Sequence, residues 1–408
     1  MTYSESLDWL YSTQLFGMKL GLENPRRLFK EYLAYPPRHT RVIHVAGTNG
    51  KGSTCAFIDS VARAAGLRTG LFTSPHLVRY SERVRVSGVE ITEDELADHL
   101  TALRTLVEGW EHHPTFFELS LAVALKHFIK NRCELLILET GMGGRLDATT
   151  AVPADIAVIT PIALDHQKWL GDTLPEIAAE KAAIIRTAKP TFSGPQEPTA
   201  RTVVEQTANE RRSPLQMVEE PLLGYSLGLP GDHQKFNAAL ALAALHAVGA
   251  NLNYDTVQAG LSSTCWPGRF ERIPPEFSHL DSEVILDIAH NPAAAKALAA
   301  NWRRAFGTQK ANLIFGAVES KDVPGIYDNL LPVVEGILLV PVNSSRSLPP
   351  DDLLALLPAA HPPVQTFANL LDAFKVPTES PTLVTGSAFL VGEVMALLEE
   401  SAHRSSAQ

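Results

Sequence analysis

A strand, a glycine-rich loop and a helix start follow one another in Val42-Ile43-His44-Val45-Ala46-Gly47-Thr48-Asn49-Gly50-Lys51-Gly52-Ser53. Such an arrangement directs several backbone N–H groups and the positive end of the helix at one point, which suits a triphosphate. Glycine allows the backbone to approach closely and to adopt positive φ angles. The lysine would lie against the β- and γ-phosphate oxygens. We therefore predict that Asn49, Gly50, Lys51, Gly52 and Ser53 bind a triphosphate.

The loop differs from the common GxxxxGK[ST] phosphate-loop pattern. Its first glycine lies closer to the lysine, Gly52 takes the place of the hydroxyl residue, and Ser53 follows one position later. A hydroxyl at the helix start could still face a magnesium ion. The alternative is an ordinary glycine-rich turn with one exposed lysine, but the apolar strand before the loop favours phosphate binding.

Short apolar segments alternate with longer stretches of helical character along the chain. The segments 42–46, 135–138 and 156–159 are apolar on both faces, as expected of central parallel strands covered by helices. Helices are expected at roughly 53–65, 93–109 and 115–132. This alternation predicts βαβ units, and therefore an α/β fold with a mostly parallel sheet.

The alternation stops where prolines cluster between Trp266 and Glu276, and it restarts at residues 284–288. Further strands are expected at 313–318, 336–342 and 382–385, and helices at 293–306 and 388–400. We predict two domains, residues 1–270 and residues 271–408, because compact units are joined where periodic structure is interrupted. The polar tail at 401–408 is expected to fray.

Composition excludes several classes of protein. The 408 residues include 35 Lys and Arg against 45 Asp and Glu, a formal net charge of −10, which argues against nucleic acid binding. Three widely spaced cysteines form neither a disulfide framework nor a metal-binding pair. No apolar run reaches the ~18 residues of a membrane span, and the N-terminus does not resemble a signal peptide. We expect a cytoplasmic monomer that has no membrane contact.

A series of motifs continues from the phosphate loop through most of the chain. In chain order they are GTNGKGS (47–53), TSPHL (73–77), LETGMGGRLDAT (138–149), LDH (164–166), EKAAI (180–184), GDHQKFNA (231–238), WPGR (266–269) and LDIAHNP (286–292). Together they resemble folylpolyglutamate synthase/dihydrofolate synthase, a branch of the Mur ligase superfamily. The resemblance implies a P-loop ATPase domain with a mostly parallel sheet, followed by a smaller Rossmann-like C-terminal domain.

The resemblance also implies an ATP-dependent amide-forming ligase. A pterin-linked carboxylate attacks the γ-phosphate of ATP, and the amine of L-glutamate then displaces phosphate from the acyl phosphate. The acceptor would be dihydropteroate, a reduced folate or both. Because a carboxylate must approach an anionic triphosphate, the protein has to supply fixed positive charge rather than a covalent nucleophile. Lys51 and two Mg²⁺ ions would supply it.

The resemblance assigns metal binding to Ser74, Glu139, His166 and Lys181, the last as a carbamate. Glu139 ends an apolar strand at the edge where a parallel sheet presents its site, and a carboxylate there is costly unless it is paired or metal-bound. His166 follows the next apolar strand and emerges at the same edge. A strand-ending carboxylate, a structural histidine and turn chemistry at Ser74 are the alternatives.

Lys181 lies in an apolar helical pattern at residues 177–184. Carbamylation would convert its cation into an anionic oxygen ligand, and the reaction needs a neutral amine, which burial favours. The alternative is a surface lysine paired with neighbouring acids. This chain has Ala183 where the family usually has glycine.

For the nucleotide and the acyl phosphate, the resemblance adds Asn237, Arg269, Asp287 and His290. Asn237 would contact the base, while Arg269 and Asp287 would contact ATP so that domain closure completes the phosphate clamp. His290 would face the acyl phosphate or the incoming glutamate, and it joins Lys51 and Lys181 as a catalytic candidate. An interdomain salt bridge at Arg269 and a helix cap at His290 are the alternatives.

The pterin site is expected at the start of a helix and in the loop opposite. The candidates are Thr115, Phe116, Phe117 and Glu118, with Leu146, Asp147 and Ala148. Aromatic rings can stack on a flat heterocycle, and carboxylates can accept its N–H groups. The alternative is a hydrophobic core, where adjacent phenylalanines are found more often than in a ligand site.

Two other functions are weighed against this one. A muramyl amino-acid ligase would carry an additional N-terminal domain, for which a phosphate loop beginning at residue 47 leaves no room. A nucleotide-dependent switch or binding module would not need a second Rossmann-like domain, and a guanine-reading Asn-Lys-x-Asp motif is absent. The pattern leaves open whether both synthase activities are present, how long a glutamate chain is made, and which residues select L-glutamate. Suspects for the last role are Ser344, Ser345 and Arg346.

Overall fold

The computed structural model describes residues 1–16, 21–275 and 282–399. The first sheet is built from β1 (Arg41–Ala46), β2 (Thr69–Phe72), β3 (Val84–Val86), β4 (Val89–Glu90), β5 (Leu135–Glu139), β6 (Ile156–Ile159), β7 (Thr191–Ser193) and β8 (Leu215–Met217). Their order across the sheet is β4-β3-β2-β5-β1-β6-β7-β8. Strand β3 pairs antiparallel with β2 and β4, and the remaining pairings are parallel.

Strand β1 occupies the centre of this sheet, between β5 and β6. Its register aligns Val45 with Glu139 on one side and with Val158 on the other. The three strands therefore end side by side, so the loops that follow them meet at one edge of the sheet. The two apolar faces expected from the sequence are confirmed, because the apolar residues of each strand are divided between hydrophobic cores on opposite faces of the sheet.

Helices cover both faces of the first sheet. They are α1 (Tyr3–Ser12), α2 (Glu23–Glu31), α3 (Lys51–Ala64), α4 (Glu93–Val107), α5 (Phe116–Lys130), α6 (Gln167–Leu170), α7 (Leu174–Ala182), α8 (Pro198–Glu210), α9 (Asp232–Ala247) and α10 (Tyr254–Ser262). Helices α1, α4 and α5 pack on one face, and α3, α9 and α10 pack on the other. Helix α3 is thereby enclosed, which fixes the phosphate loop at its N-terminus.

A second, mostly parallel sheet follows. Its strands are β9 (Glu271–Ile273), β10 (Val284–Leu286), β11 (Ala311–Phe315), β12 (Val334–Leu339), β13 (Val364–Thr366) and β14 (Thr382–Thr385), in the order β13-β12-β11-β14-β10-β9. Its helices are α11 (Pro292–Phe306), α12 (Val323–Leu330), α13 (Pro350–Ala355), α14 (Leu370–Phe374) and α15 (Ala388–Leu398). Strand β9 pairs antiparallel with β10. The sequence did not predict β9, because its residues are partly exposed and precede two prolines.

The predicted α/β architecture, with a P-loop part followed by a second parallel sheet, is confirmed. The limits 1–270 and 271–408 stay a prediction, and the polar tail at 401–408 lies outside the described residues. Helix α3 begins at Lys51 rather than near Ser53. Across the part of the chain that the structure describes, no helix is long and apolar enough to cross a membrane.

A pair of histidines lies between helices α2, α4 and α5, away from the strand ends. The rings of His99 and His127 meet edge to face with centroids 6.0 Å apart, and the hydroxyl of Tyr32 lies 2.9 Å from Nδ1 of His99. Burial, reinforced by the charges of His127 and Lys130, lowers the pKa of His99 to about 4. Folding therefore favours the neutral ring.

The free energy of unfolding should depend on pH through His99. In the unfolded chain its pKa is about 6.5, so the contribution is complete above that pH and is lost as the pH falls towards 4. We expect the urea midpoint of the wild type to fall more steeply between pH 7.5 and pH 5 than that of His99→Asn. The exposed His39→Asn variant, as control, should keep the wild-type slope; an equal slope in His99→Asn would contradict the assignment.

Candidate active site

The phosphate loop turns sharply at two glycines. Gly47 has a φ of +148° and Gly50 a φ of +88°, and a β-carbon at either position would collide with a neighbouring side chain, Thr160 or Asn237. The N–H groups of Thr48 and Asn49 donate to the carbonyl oxygen of Pro161. They are therefore used within the protein. The N–H groups at the start of α3, which have no intrahelical acceptor, remain for an anion.

Lys51 and Ser53 differ in their surroundings. The ammonium group of Lys51 lies 3.4 Å from the carbonyl oxygen of Thr48, close to the loop. The hydroxyl of Ser53 is buried and accepts from the side-chain amide of Gln234 at 3.2 Å. Gln234 in turn accepts from Asn237. Helix α9 thus places Asn237 directly against Gly50.

Ser74 and Glu139 lie side by side at the ends of β2 and β5. The backbone N–H of Ser74 donates to Oε2 of Glu139 at 3.0 Å, and both residues are buried. Burial raises the pKa of Glu139, while the nearby charge of Lys51 opposes this rise. Within the described residues the buried hydroxyl of Ser74 has no hydrogen-bond partner. An unsatisfied hydroxyl beside a buried carboxylate fits a cation with oxygen ligands.

Lys181 lies in α7 and is buried against the phosphate loop. Its amine is 2.9 Å from the carbonyl oxygen of Gly47. Burial, together with the charge of Lys51, lowers the pKa of Lys181 to about 7. A substantial fraction of the amine is therefore neutral at physiological pH.

His166 follows β6 and precedes α6 with a positive φ of 53°. Burial lowers its pKa to about 3, so the ring is neutral, as a metal-ligating imidazole must be. It lines a different cavity from Ser74 and Glu139. Among residues 1–16, 21–275 and 282–399, no group of three His, Cys, Asp or Glu side chains could hold a metal ion. A cation beside Glu139 would therefore also need the Ser74 hydroxyl, phosphate oxygens and water as ligands.

Two residues near the second sheet approach the start of α3. A β-carbon at Gly52 would lie 2.9 Å from the indole nitrogen of Trp266 and 3.5 Å from the guanidinium of Arg269. The carboxylate of Asp287 accepts from the N–H groups of Phe270 and Ala289, both at 2.9 Å. Burial raises the pKa of Asp287 to about 6, against the charge of Arg269. Arg269 is thus positioned to reach a phosphate at the helix start.

Asp165 connects the two parts of the molecule. Its carboxylate lies 2.6 Å from the ammonium of Lys321 and 3.2 Å from Nε2 of His290. Burial alone raises the pKa of Asp165, but His290 and Lys321 lower it well below its ordinary range. Beside it, the amides of Asn49 and Asn291 exchange two hydrogen bonds of 3.0 and 3.3 Å. The phosphate loop is therefore bonded directly to the turn that precedes α11.

The sequence reasoning missed Lys321, Asn291 and the role of Asp165. Asp165 stood in a recognised motif, and an acidic residue after an apolar strand was a usable signal. No local sequence signal indicated Lys321, because its contact with Asp165 spans 156 residues. Trp266 lies in the WPGR motif, which did not indicate its contact with the start of α3.

Two cavities open beside these groups. One of about 450 Å³ is lined by residues that include Gly52, Ser74, Glu139, Trp266 and Arg269. The other, of about 730 Å³, is lined by residues that include His166, His290, Lys321, Arg346 and Ser387. Neither lining includes Ser344 or Ser345. The second cavity is rich in groups that can carry positive charge.

Known proteins match this chain over most of its length. The family model for the Mur ligase middle domain matches residues 45–193, and that for the Mur ligase glutamate ligase domain matches residues 268–384. Dihydrofolate synthase/folylpolyglutamate synthase from Escherichia coli (strain K12) is 35% identical over 379 residues, covering 88% of this chain and 86% of the relative. The chain belongs to the dihydrofolate synthase/folylpolyglutamate synthase family of Mur ligases.

Solved structures of family members agree with this assignment. Escherichia coli FolC in complex with DHPP and ADP is 33% identical, with a TM-score of 0.85 and coverage of 97% of this chain and 98% of that one. A bifunctional folylpolyglutamate synthase/dihydrofolate synthase with Mn, AMPPNP and L-glutamate bound is 31% identical, with a TM-score of 0.84 and coverage of 97% and 98%. The resemblance read from the motifs is confirmed.

The residues expected to hold the pterin of such a family member have local structural roles. Thr115 and Glu118 form a reciprocal capping box at the start of α5. Phe116 is buried among Tyr11, Tyr80 and Arg83, so its ring is not free to stack on a ligand. These contacts give Thr115, Phe116 and Glu118 roles within the fold, and pterin binding by the three side chains stays a prediction.

The other pterin candidates converge on one loop. Phe117 lies against Gly141, and the carboxylate of Asp147 accepts from the N–H groups of Gly141 and Met142 at 2.9 and 3.0 Å. Leu146 is partly exposed, and Ala148 is buried. The loop lies beside Phe117 as expected, although the carboxylate of Asp147 is turned into the protein. A role for this loop in pterin binding stays a prediction.

Replacement of the loop lysine tests the phosphate site. We expect Lys51→Ala to lower the rate of ATP turnover by about 10²-fold or more, because a preorganised charge beside the transferred phosphoryl group is lost. Steady-state ADP release measures the rate, and circular dichroism checks the fold. The exposed Lys310→Ala variant should behave like the wild type. Turnover of Lys51→Ala near the wild-type rate would contradict the site.

Proposed function

We propose that this chain joins L-glutamate to dihydropteroate, to the γ-carboxylate of reduced folates, or to both, at the expense of ATP. The observation that carries the proposal is the convergence of Lys51, Lys181 and Glu139 around the phosphate loop. Arg269 and His290 approach that loop from the second sheet and its hinge. Such a cleft can bring an anionic acceptor to a triphosphate and neutralise the combined charge.

ATP would bind with its terminal phosphates at the start of α3. Lys51 and Arg269 would contact the phosphate oxygens, since the first belongs to the loop and the second covers Gly52. Asn237, already beside Gly50, would lie on the side of the base. Relatives with ADP or AMPPNP bound support a nucleotide in this family.

Ser74 and Glu139 would hold a divalent cation, which we propose to be Mg²⁺. The fit rests on the unsatisfied Ser74 hydroxyl beside a buried carboxylate, both hard oxygen donors. When bound, the ion would neutralise charge on the β- and γ-phosphates. A second ion would require oxygen ligands near Lys181 and His166.

We propose that Lys181 is carbamylated. The neutral amine adds to CO₂, forms an N–C bond and releases one proton, which leaves an anionic carboxylate at the end of the side chain. The buried amine beside Gly47 and its lowered pKa favour this reaction. The product would place negative oxygen atoms against the phosphate loop, where they could serve as ligands of a divalent cation.

The reaction would then proceed in two steps. A carboxylate oxygen of the acceptor bonds to the γ-phosphorus as the bond to ADP breaks, which gives an acyl phosphate. The nitrogen of L-glutamate bonds to the acyl carbon, phosphate leaves, and the amine loses a proton. Lys51 and Arg269 offset the charge in the first step. His290, oriented by Asp165 and by the carbonyl oxygen of Ile288, lies beside the second cavity.

L-Glutamate would occupy the second cavity. Lys321 and Arg346 line it and can pair with carboxylates, while Ser387 can donate a hydrogen bond. Of the three residues suspected from the sequence, only Arg346 lines this cavity among the described residues. The cytoplasmic location and the monomeric state stay predictions.

The function is tested by ADP release with each acceptor, in the presence and absence of L-glutamate. We expect turnover only when dihydropteroate or a reduced folate is supplied together with L-glutamate, and mass spectrometry should show a product one glutamyl residue longer. Slow ATP hydrolysis at a rate that does not depend on the acceptor would indicate a nucleotide switch. Turnover with a muramyl nucleotide sugar would indicate the other ligase class.

Lys181→Ala tests the carbamate. We expect a large loss of activity that added acetate or formate restores in part, because a small carboxylate can replace the missing oxygen ligands. The exposed Lys189→Ala variant should retain wild-type activity and show no response to acetate. Full activity of untreated Lys181→Ala would show that no carbamate is required. A ¹³C-bicarbonate NMR signal lost in the variant would supply independent support.

A further inference from the structure

His44 is a polar residue in the centre of the first sheet, and the proposed reaction does not use it. It lies on β1 between Leu138 of β5 and Ala157 of β6, and it is completely buried. Its neighbours Ile43 and Val45 enter the apolar core beneath α3. A buried imidazole in such surroundings costs free energy unless its hydrogen bonds are made.

The ring of His44 makes one short hydrogen bond, whose direction is set by its neighbours. Nε2 lies 2.7 Å from the hydroxyl of Thr149, and that hydroxyl donates to Oδ1 of Asp147. Burial raises the pKa of Asp147, but both of its carboxylate oxygens accept backbone N–H groups and so act as acceptors. The single Thr149 proton therefore goes to Asp147, and His44 must donate from Nε2. Nδ1 is buried and has no hydrogen-bond partner in the described chain. Burial lowers the pKa of His44 to about 3, so the ring is neutral, and its hydrogen bond to Thr149 sets the tautomer.

Asp147 connects the hydrogen bonds of His44 and Thr149 to the loop that follows β5. Oδ1 also accepts from the N–H of Thr149 at 3.0 Å, and Oδ2 accepts from the N–H groups of Gly141 and Met142. Four donors therefore hold a buried carboxylate that has no cationic partner in direct contact among the described residues. The first two residues after Thr140 are fixed in this way, immediately beyond Glu139.

The other end of the loop packs on the helix that carries Lys181. The N–H of Arg145 donates to the carbonyl oxygen of Glu180 at 2.8 Å, and the side chains of these two residues form an ion pair. A β-carbon at Gly144 would lie 2.5 Å from the carbonyl oxygen of Glu180 and 3.1 Å from that of Lys181. The loop is thus wedged between the end of β5 and α7.

We propose that His44 is a positioning residue which, through Thr149 and Asp147, fixes the Gly141–Asp147 loop and thereby sets the spacing between Glu139 and Lys181. The inference rests on the proposed function, because these two residues are its proposed cation ligands. Groups that hydrogen-bond around metal ligands orient them, and their removal typically costs about 10–100-fold in metal affinity or activity. His44 acts on these ligands indirectly, through Thr149, Asp147 and the loop. Every donor in this series of hydrogen bonds has a defined acceptor.

A contribution to stability alone explains the hydrogen bonds of His44, Thr149 and Asp147 less well than a positioning role does. The carboxylate of Asp147 would retain three backbone donors without the Thr149 hydroxyl, and an apolar residue at position 44 would avoid the unpaired Nδ1. The additional hydrogen bonds instead fix the torsion angles of Asp147. A small rotation of that carboxylate would displace Gly141 and Met142 together.

Thr149→Val and Thr149→Ser form the central test, since valine has the shape of threonine but lacks its hydroxyl. Affinity for Mn²⁺ is measured by electron paramagnetic resonance in the presence of AMPPNP, alongside the KM for dihydropteroate and reduced folate. We expect Thr149→Val to weaken Mn²⁺ binding about 10-fold and to raise the KM for the acceptor. Thr149→Ser should remain close to the wild type. ADP binding without divalent cation should be unchanged in both.

A second pair of variants, at position 44, distinguishes a positioning role from a folding defect. His44→Gln keeps an N–H donor near the position of Nε2, whereas His44→Leu has a similar volume and no donor. We expect the glutamine variant to bind Mn²⁺ more tightly than the leucine variant at equal melting temperature. The valine and leucine variants could melt at lower temperature but bind Mn²⁺ and acceptor like the wild type. In that case the hydrogen bonds of His44, Thr149 and Asp147 serve only stability, and the proposal is wrong.

These measurements separate the inference from the proposed function. Absence of glutamate-dependent turnover in the wild type would overturn the function. The Mn²⁺ affinities of the four variants would still decide the role of His44. Conversely, an active wild type with indistinguishable variants would overturn the positioning role alone.

Discussion

The amine of Lys181, held against the carbonyl oxygen of Gly47, joins the phosphate loop to α7 in the interior of the protein. The contact is possible because Gly47 adopts a conformation that favours glycine and because α7 packs where β1 and β6 end. An ammonium group buried beside Lys51 would be unfavourable, and the lowered pKa of Lys181 reflects that cost. The loop therefore meets an amine of which a substantial fraction is neutral at physiological pH.

The second sheet completes the site by long-range polar contacts. Asn291 bonds to Asn49, Lys321 and His290 pair with Asp165, and Arg269 lies over Gly52. Each contact joins a strand end or loop of the first sheet to a turn of the second sheet or of its hinge. Closure of the two parts would thus assemble the charged groups at the same time as it excludes water. An open arrangement would leave Asp165 and the loop without these partners.

Much of the fold could be read from the sequence because its signals are local. The strands β1, β5 and β6 are apolar on both faces, and the glycines of the phosphate loop follow β1 directly. Strand β9 could not be recognised, since it is short, partly exposed and antiparallel. The capping box at Thr115 and Glu118 had a recognisable signal, a threonine followed three residues later by glutamate, which indicates a helix start.

The site was only partly predictable for a physical reason. Lys51 and Glu139 were identified from distinctive local patterns, because Lys51 follows the glycine-rich loop at the start of α3 and Glu139 ends the apolar strand β5. His44, Asp165 and Lys321 depend on contacts across 105 to 156 residues, and no local pattern encodes such a pairing. The motifs placed Asp147 near the acceptor, but only the structure shows that its carboxylate points into the protein. Sequence therefore gave the positions of functional segments better than the direction of their side chains.

The most direct test of the account is a crystal structure with AMPPNP and Mn²⁺, using the anomalous signal of manganese to locate the metal. We expect the terminal phosphates on the N–H groups at the start of α3, Lys51 and Arg269 on their oxygens, and a manganese peak beside Ser74 and Glu139. A nucleotide bound elsewhere, with the 47–53 turn free of phosphate, would contradict it.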